Sequence, residues 1–412
     1  MTSLQSEAGP ATERAPSHTE TAPKAPSAAL LWAVAAATGA LVANLFYSQP
    51  LIAVIGPDLG LRPNLAGVMV SITQIGYALG LFFLVSLADL VENKKLVLFA
   101  LGGTLIALVL AATSTGATMF FVASLLIGLC STGAQVLIPF VSQLVPEAQR
   151  GRTVGNIMAG LLTGILLARP LALFISASFG WRTVFWVSAV LMIIVTLVLA
   201  RLMPRHRPRG GTTYGKILVT MMALMRDSPI VRRRAIYQAL MFAGFNMFWT
   251  AAPVMLAQRF GLSQEGIALF ALAGVGGAAA APIAGRMADG GHVRLATLGA
   301  MAVLSLAFLA TGWATSASAL AVLVVLGIVI DAAVQTNQVV GQRVIFSLPA
   351  AMRGRINAVY MTTSFVGGAI GSTLATTTYH SGGWTVTAIT GAVIGGLALL
   401  IALTERSKAE GA

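Results

Sequence analysis

The chain has 412 residues, of which 57% are hydrophobic and only 9% are charged, and its mean hydropathy is +0.85. A soluble globular protein could not cover its surface with so few charged side chains, so the composition excludes that class and predicts an integral membrane protein. The formal net charge of +13 does not indicate a nucleic-acid partner, because the basic residues lie just beyond the ends of apolar segments, where membrane orientation accounts for them.

The chain starts with a polar segment and continues with twelve apolar segments. Residues 1–28 are rich in Pro, Ser, Thr and Glu, which predicts a disordered tail that is not a cleavable signal peptide. Each apolar segment is about long enough to cross a bilayer, and none alternates as a strand does, so we predict an all-α membrane protein rather than a β-barrel. We call them spans 1 to 12, and they cover residues 29–52, 66–88, 96–114, 117–141, 156–178, 183–202, 236–257, 266–288, 295–313, 318–341, 356–378 and 384–403.

The two halves of the chain repeat at one constant offset. Pro146, Arg150-Gly151-Arg152 and Gly180-Trp181 recur as Pro349, Arg353-Gly354-Arg355 and Gly383-Trp384. An internal repeat of this length predicts two pseudo-symmetric six-helix bundles, at 29–202 and 236–404. A basic linker, 203–235, joins them, and a short tail, 405–412, follows.

The basic residues predict the orientation in the membrane. Of the 26 Lys and Arg residues, only Arg62, Arg182 and Arg259 fall in odd-numbered loops, and only Arg169 lies deep within a span. The positive-inside rule therefore places both termini in the cytoplasm. In the linker, the run Ile217 to Met225 is too short to span, and we expect an amphipathic helix at the membrane interface, with a solvated linker as the alternative.

Several kinds of chemistry have no support in the sequence. Gly210 to Lys216 reads GxxxxGK, but Ile217 replaces the hydroxyl residue that would hold magnesium, no strand precedes it and no nucleotide-binding domain is present, which excludes an ATP-driven pump. Cys130 is the only cysteine and the four histidines lie in loops or the tail, so we expect no metal and no cofactor. Without a nucleophile, paired acids or metal ligands at depth, we also expect no enzyme.

Twelve spans in two parallel repeats with a basic central loop resemble the major facilitator superfamily, over residues 30 to 405. Its signature between spans 2 and 3 is matched in part by Asp89, Lys94 and Lys95, and its second copy by Gly285, Arg286, Asp289, Gly291 and Arg294. The resemblance implies two six-helix bundles that give alternating access to a central site. An Asp at a helix end beside loop cations can hold a gate shut, so we expect a cytoplasmic gate formed by Asp89, Lys94, Lys95, Arg150, Asp289, Arg294 and Arg353.

Three further segments look like a bacterial exporter branch related to drug, sugar and nucleoside proton antiporters. They are Asn44 to Leu51 in span 1, Ile165 to Arg169 in span 5 and Gln335 to Arg343 in span 10. This resemblance implies a multi-pass protein of the bacterial inner membrane that exchanges protons for its substrate.

Span 10 carries a polar stripe. Asp331, Gln335, Gln338 and Gln342 are spaced so that all four project from one helix face. Such groups are costly in hydrocarbon, so the stripe should face a water-filled cavity or a partner. Spans 1, 4, 7 and 10 line the cavity in the resembled family, which predicts facing walls that contain Asn44, Tyr47, Gln49, Gln135, Gln238, Asn246 and Trp249.

Two charged residues lie within the predicted membrane interior and break the repeat. Asp331 is the acid placed near mid-membrane, and we predict it to be the proton-coupling site, the alternative being a structural aspartate bonded to neighbouring amides. Arg169 lies too deep in span 5 for its side chain to reach the headgroups easily, and we include it in the cavity. Its partner is left open between Asp331, an anionic group of the substrate, a carbonyl and water.

Small residues predict close helix packing. Gly76/Gly80, Gly160/Gly164 and Gly367/Gly371 form GxxxG pairs in spans 2, 5 and 11. Those spans meet between the halves in the resembled family, so we expect the pairs at that contact.

The sequence thus predicts an alternating-access secondary transporter whose substrate site lies between the bundles near the midplane. We expect export of a small, partly apolar organic molecule in exchange for protons, with a proton symporter or facilitator for uptake as the alternative. A membrane receptor or scaffold is a more remote alternative. The expected partners are the small-molecule substrate, protons and the lipid bilayer, and one chain holds a complete pathway, which predicts a functional monomer.

Overall fold

The computed structural model describes residues 26–205, 213–349 and 352–405, and every regular element in these ranges is helical. The predicted tail residues 1–25 and 406–412, and the part of the linker at 206–212, lie outside the described residues.

The first half contains spans 1 to 6, several of which are interrupted. The third span is α4, the fifth α7 and the sixth α8, whereas the first, second and fourth consist of shorter consecutive pieces. In chain order the pieces are α1 (Ala28–Ala43), α2 (Ile52–Asp58), a 3-10 turn (Pro63–Leu65), α3 (Gly67–Leu79), a π-helical turn (Gly80–Leu84), a second 3-10 turn (Val85–Asp89), α4 (Asn93–Ala112), α5 (Ala117–Ser131), α6 (Gly133–Leu144), α7 (Glu147–Phe179) and α8 (Trp181–Leu202).

The second half follows a linker helix and repeats this plan. The linker helix is α9 (Tyr214–Asp227). The second half then contains α10 (Pro229–Phe260), α11 (Gln264–Ala271), α12 (Gly274–Ala278), α13 (Ala280–Asp289), α14 (Val293–Ser316), α15 (Leu320–Phe346) and α16 (Arg353–Leu403). Of these, α11, α12 and α13 together form span 8. Ser228 caps α10 and Pro229 occupies its first position, so the Arg232 to Arg234 run lies on the first turns of span 7.

The number of spans agrees with the prediction. Ten helical runs in the described ranges are long and apolar enough to cross a membrane. One of them, α16, contains non-helical backbone at Gly382 and Gly383 and therefore holds spans 11 and 12, and α1 with α2 supplies span 1. Twelve spans in two bundles are the predicted all-α fold, which is confirmed.

The repeated Gly-Trp pair forms the same turn in both halves. Gly180, between α7 and α8, has φ +82°, and Gly383, inside α16, has φ +66°, a region that L-residues with a Cβ rarely adopt. The tryptophan after each glycine is held by a hydrogen bond within its own half. Trp181 donates to Asp58 at 3.0 Å and Trp384 donates to Thr311 at 3.2 Å.

The GxxxG pairs pack inside the halves and not between them, which corrects the expectation. Gly76 and Gly80 lie against the backbone of span 4, Gly160 and Gly164 against span 1, and Gly367 and Gly371 against span 7. In each case a Cβ would overlap a neighbouring backbone carbonyl, so the pairs hold each bundle together tightly.

The linker helix α9 contacts both halves at one end of the molecule, which we call the inner end. Ile217 and Met221 are fully buried in a cluster with Val231 and Ile356 of the second half. On the other side, the Tyr214 hydroxyl donates to the carbonyl of Phe83 at 3.0 Å. The opposite end, which bears the turns at Gly180 and Gly383, is the outer end.

Candidate functional site

A cavity of about 440 Å³ lies between the two halves. Its wall is formed by both bundles: spans 1, 2, 4 and 5 on one side and spans 7, 8, 10 and 11 on the other. It extends from Arg169 and Asp331 at depth towards Val154, Phe346 and Asn357 near the inner end. Its size is that of a site for a small organic molecule.

The polar stripe of span 10 faces this cavity. Asp331, Gln335, Gln338 and Gln342 all lie on its wall. Opposite them are Gln135, whose amide donates to the Tyr77 hydroxyl at 3.1 Å, and Gln238, whose amide donates to Gln338 at 3.4 Å. Most of the remaining wall is apolar, so the cavity offers a few hydrogen-bonding amides among hydrocarbon and aromatic side chains.

Asp331 is a buried acid held by one specific donor. Its side chain is only 6% exposed, and Oδ1 accepts a hydrogen bond from the Trp249 indole nitrogen at 2.7 Å. Glycines of span 8 leave room for it, because a Cβ at Gly277 would overlap the Cβ of Asp331. Span 8 is interrupted at this point, between α11 and α12, so the acid packs against a broken helix.

Arg169 is a buried cation without an anionic partner. It is 4% exposed, Nε donates to Oε1 of Gln49 at 3.0 Å, and Nη2 has no hydrogen-bond acceptor. Three aromatic rings surround the guanidinium carbon, those of Phe46 at 4.9 Å, Phe245 at 5.1 Å and Trp249 at 4.9 Å. No acidic oxygen of a described residue lies within 4.0 Å of its nitrogens, so a direct pair with Asp331 is not formed.

Hydrogen bonds between the halves close the outer side of the cavity. Gln49 of the first half donates to Asn246 at 3.3 Å and to Thr250 at 3.1 Å, and Gln74 donates to Asn246 at 3.1 Å. Farther out, the Ser71 and Thr373 hydroxyls lie 2.7 Å apart. Gln49 therefore connects Arg169 to span 7, and the cavity is closed on its outer side and extends towards the inner end.

The charged residues expected at the inner gate do not join the two halves. Asp289 pairs with Arg343 of its own half at 2.9 Å, Lys95 pairs with Glu92 at 3.8 Å, and Lys94 donates to the carbonyl of Met203. Arg150 donates to the carbonyl of Val145, and Asp89, Arg294 and Arg353 are exposed. Among the described residues, no hydrogen bond or ion pair therefore joins these charged groups across the two halves.

Two residues predicted for the cavity wall face elsewhere. Asn44 accepts a hydrogen bond from Ser188 at 2.6 Å and lies against Met192, and Tyr47 also bonds Ser188. Instead of lining the cavity, both side chains turn towards α8 and join spans 1 and 6 inside the first half. Three more of the predicted wall residues do not line the cavity directly: Gln49 and Asn246 form the closed outer contact, and Trp249 lies between Asp331 and Arg169.

Aromatic wall residues were missing from the sequence-based prediction. Phe46, Phe242, Phe245 and Phe365 line the cavity, as does Asn357, whose side-chain oxygen has no partner. A signal for two of them existed, because Gln238, Phe242, Phe245 and Trp249 follow the spacing that places residues on one helix face. In the described ranges, no group of three or more His, Cys, Asp or Glu side chains is arranged to hold a metal ion.

Comparisons with known proteins agree with this architecture. The family model of the Major Facilitator Superfamily matches residues 31–372 and 235–412. An uncharacterized transporter of Escherichia coli, YgaY, is 38% identical over 380 residues, which cover 91% of this chain and 95% of that protein. The probable transporter SCO4007 of Streptomyces coelicolor is 31% identical over 388 residues, covering 91% of this chain and 87% of that protein.

A solved structure shares the fold. The crystal structure of a D-xylose-proton symporter superimposes with a TM-score of 0.74 at 15% identity, covering 91% of this chain and 96% of that one. The family match, the two relatives and the twelve-span architecture agree, and the chain belongs to the major facilitator superfamily of membrane transporters.

Proposed function

We propose that this protein is a proton-coupled secondary transporter of a small, partly apolar organic molecule, with Asp331 as the proton site. The observation that carries the proposal is the position of Asp331, which is buried on the wall of the cavity between the halves. The carboxyl group of Asp331 contacts both span 7 and the broken span 8, and it changes its charge when it binds a proton. Such a change can bias the equilibrium between two arrangements of the halves.

The composition of the cavity wall supports a substrate with both apolar and hydrogen-bonding parts. Apolar side chains, those of phenylalanine, leucine, isoleucine, valine and methionine, cover most of the wall, and the amides of Gln135, Gln238 and Gln338 interrupt it. An apolar body gains free energy from the hydrocarbon wall, and the amides orient its polar groups.

The first candidate for direction is export in exchange for protons, from a bacterial inner membrane with both termini in the cytoplasm. It is favoured by the exporter-like residues of spans 1, 5 and 10 and by the basic residues at the inner end. In this mechanism the proton and the substrate cannot occupy the cavity together. The protein therefore changes conformation in one direction with the substrate bound and in the other direction with the proton bound.

A second candidate is symport of the substrate with a proton, and Arg169 favours it. Arg169 and Asp331 line the same cavity, so protonation of Asp331 removes the negative charge that competes for the arginine. An anionic substrate and a proton would then bind more tightly together than apart, and linkage would make them travel together.

Proton movement in proteoliposomes separates these candidates. The protein is reconstituted into liposomes that contain a pH-sensitive dye, and the membrane potential is clamped. The added substrates are small aromatic molecules that stabilise the purified protein against heating, and they are supplied on the outside. Exchange makes the lumen more alkaline as substrate enters, whereas symport makes it more acidic. Flux of a substrate without proton movement would refute coupling.

The matched variants are Asp331→Asn and Asp58→Asn, each of which removes one carboxylate. Asp331→Asn should abolish substrate-induced proton movement while leaving the protein folded. Asp58, which lies at the outer surface with Arg182, serves as the control and should leave proton movement unchanged.

A further inference from the structure

Arg169 is a buried cation for which the described part of the protein supplies no acceptor at Nη2. Nε bonds Gln49, a neutral amide, and Nη2 has no acceptor although the side chain is almost completely buried. A buried polar group without a partner is uncommon in folded proteins and indicates a missing acceptor, such as water, an ion or a ligand. Arg169 also lines the cavity proposed above as the substrate site.

The aromatic rings around Arg169 stabilise its charge, but they do not accept hydrogen bonds from its N–H groups as a carboxylate does. Phe46, Phe245 and Trp249 present their rings about 5 Å from the guanidinium carbon. An arginine held in this way is prepared for a planar anion, which it can bind through two parallel hydrogen bonds.

Asp331 does not bind Arg169 in this arrangement of the two halves. Its Oδ1 accepts from Trp249 at 2.7 Å, and its side chain packs against the glycines of span 8. The indole of Trp249 therefore lies between the two charges, bonded to the acid at its nitrogen and stacked near the arginine at its ring.

We propose that the substrate is an organic monoanion whose carboxylate binds Arg169 and whose apolar or aromatic body lies among Phe242, Phe245 and Phe365. This rests on the proposed function in one respect, that the cavity is the substrate site, and it holds for either direction of transport. An organic cation has no anionic group to offer Arg169, and a neutral molecule would likewise leave Nη2 without an anionic acceptor. A dianion would meet the negative charge of Asp331 on the same wall.

Three probes of equal size test the charge preference on the wild-type protein. They are 3-phenylpropionate, 3-phenylpropionamide and 3-phenylpropylamine, which share an aromatic ring and a three-carbon chain but are anionic, neutral and cationic at neutral pH. Thermal stabilisation of the purified protein measures their relative affinity. The carboxylate should bind on the order of tenfold to hundredfold more tightly than its amide, the range expected for a charge-assisted hydrogen bond.

Variants of Arg169 test the site. Arg169→Gln should abolish the preference for the carboxylate over the amide, and Arg169→Lys, which keeps the charge without the planar fork, should retain part of it. Arg259→Gln at the outer surface is the control for loss of one positive charge and should keep the full preference. Because the probe comparison is made first on the wild-type protein, it decides the question even if an Arg169 variant fails to fold.

Any of three results would overturn the proposal. The amide or the amine could bind as tightly as the carboxylate or more tightly, or the carboxylate preference could survive Arg169→Gln. The third is that neither 3-phenylpropionate nor longer and branched aromatic monocarboxylates stabilise the protein. These outcomes are separate from failure of the proposed function. Carboxylate binding at Arg169 without proton movement would leave the anion site intact and refute proton coupling. Proton-coupled flux of a neutral or cationic substrate would support proton coupling and refute the anion site.

Discussion

Trp249 donates its indole N–H to Oδ1 of Asp331 at 2.7 Å, and this hydrogen bond joins span 7 to span 10 beside the central cavity. The same indole ring lies 4.9 Å from the guanidinium carbon of Arg169. One side chain thus contacts the proposed proton site of the second half and the buried cation of the first. If Asp331 is the proton site, we expect a movement of its side chain on protonation to shift the indole ring that Arg169 packs against.

Trp249→Phe tests this hydrogen bond. The variant keeps an aromatic ring but leaves a buried carboxyl group without its donor, and we expect a loss of about 1 to 3 kcal/mol of stability, visible as a lower Tm in detergent. Trp313→Phe is the control, because Trp313 is 64% exposed on the bundle surface. Equal effects of the two substitutions would contradict a specific role of the indole N–H.

The outer contact between the halves should open during transport. Ser71 and Thr373 are 2.7 Å apart on spans 2 and 11, so a disulfide between Ser71→Cys and Thr373→Cys, in a Cys130→Ala background, should hold the outer end closed. We expect oxidation to stop flux in proteoliposomes almost completely and reduction to restore it.

The matched control for that cross-link lies within one half. Thr378 and Thr387 hydroxyls are 3.2 Å apart in the second half, and a disulfide between cysteines at these positions should leave flux unchanged. Full flux through the oxidised Ser71–Thr373 pair would contradict alternating opening at this contact.

Gly371→Leu should destabilise the second half. A Cβ at Gly371 would overlap the carbonyl oxygen of Ala243 on span 7, so spans 7 and 11 must separate, at a cost of about 1 to 3 kcal/mol. Gly299→Leu, at a position with open space around the glycine, should change stability by less than about 0.5 kcal/mol. Thermal unfolding in detergent compares the two, and equal Tm values would argue against close packing at Gly371.

The outer end of the first half should lose stability in acid. Hydrogen bonds from Arg182 and then Trp181 lower the pKa of Asp58 below its ordinary value of 3.8. A lowered folded-state pKa adds stability above the unfolded value, and this contribution is lost as the pH falls through the folded-state pKa.

We therefore expect Asp58→Asn to lower the Tm at pH 7, and the difference from wild type to shrink below pH 3.8 and to vanish once the pH is below the folded-state pKa. Because Asp58 lies at the surface, the effect should be small. Asp227→Asn, at an exposed position of the linker helix, is the control for loss of a surface carboxylate. A Tm difference for Asp58→Asn that stays constant from pH 7 to pH 3 would show that the ion pair is not its cause.

The sequence by itself determined the class, the twelve spans, the two bundles and the face on which Asp331, Gln335, Gln338 and Gln342 lie. These follow from the thickness of a bilayer, the cost of charge in hydrocarbon and the period of a helix, all of which act within one segment. The repeated Gly-Trp pair was visible as a mark of the duplication, whereas its positive-φ turn was seen only in the structure.

Only the tertiary structure decided which neighbour each polar face meets. Asn44 and Gln49 lie five residues apart in span 1, yet one bonds Ser188 within its own half and the other bonds Asn246 of the second half. The GxxxG pairs likewise join spans of one bundle, and Arg169 lies among three rings rather than beside Asp331. Helix period fixes which residues share a face, but the partner of that face depends on how twelve helices pack, and no single segment contains that information.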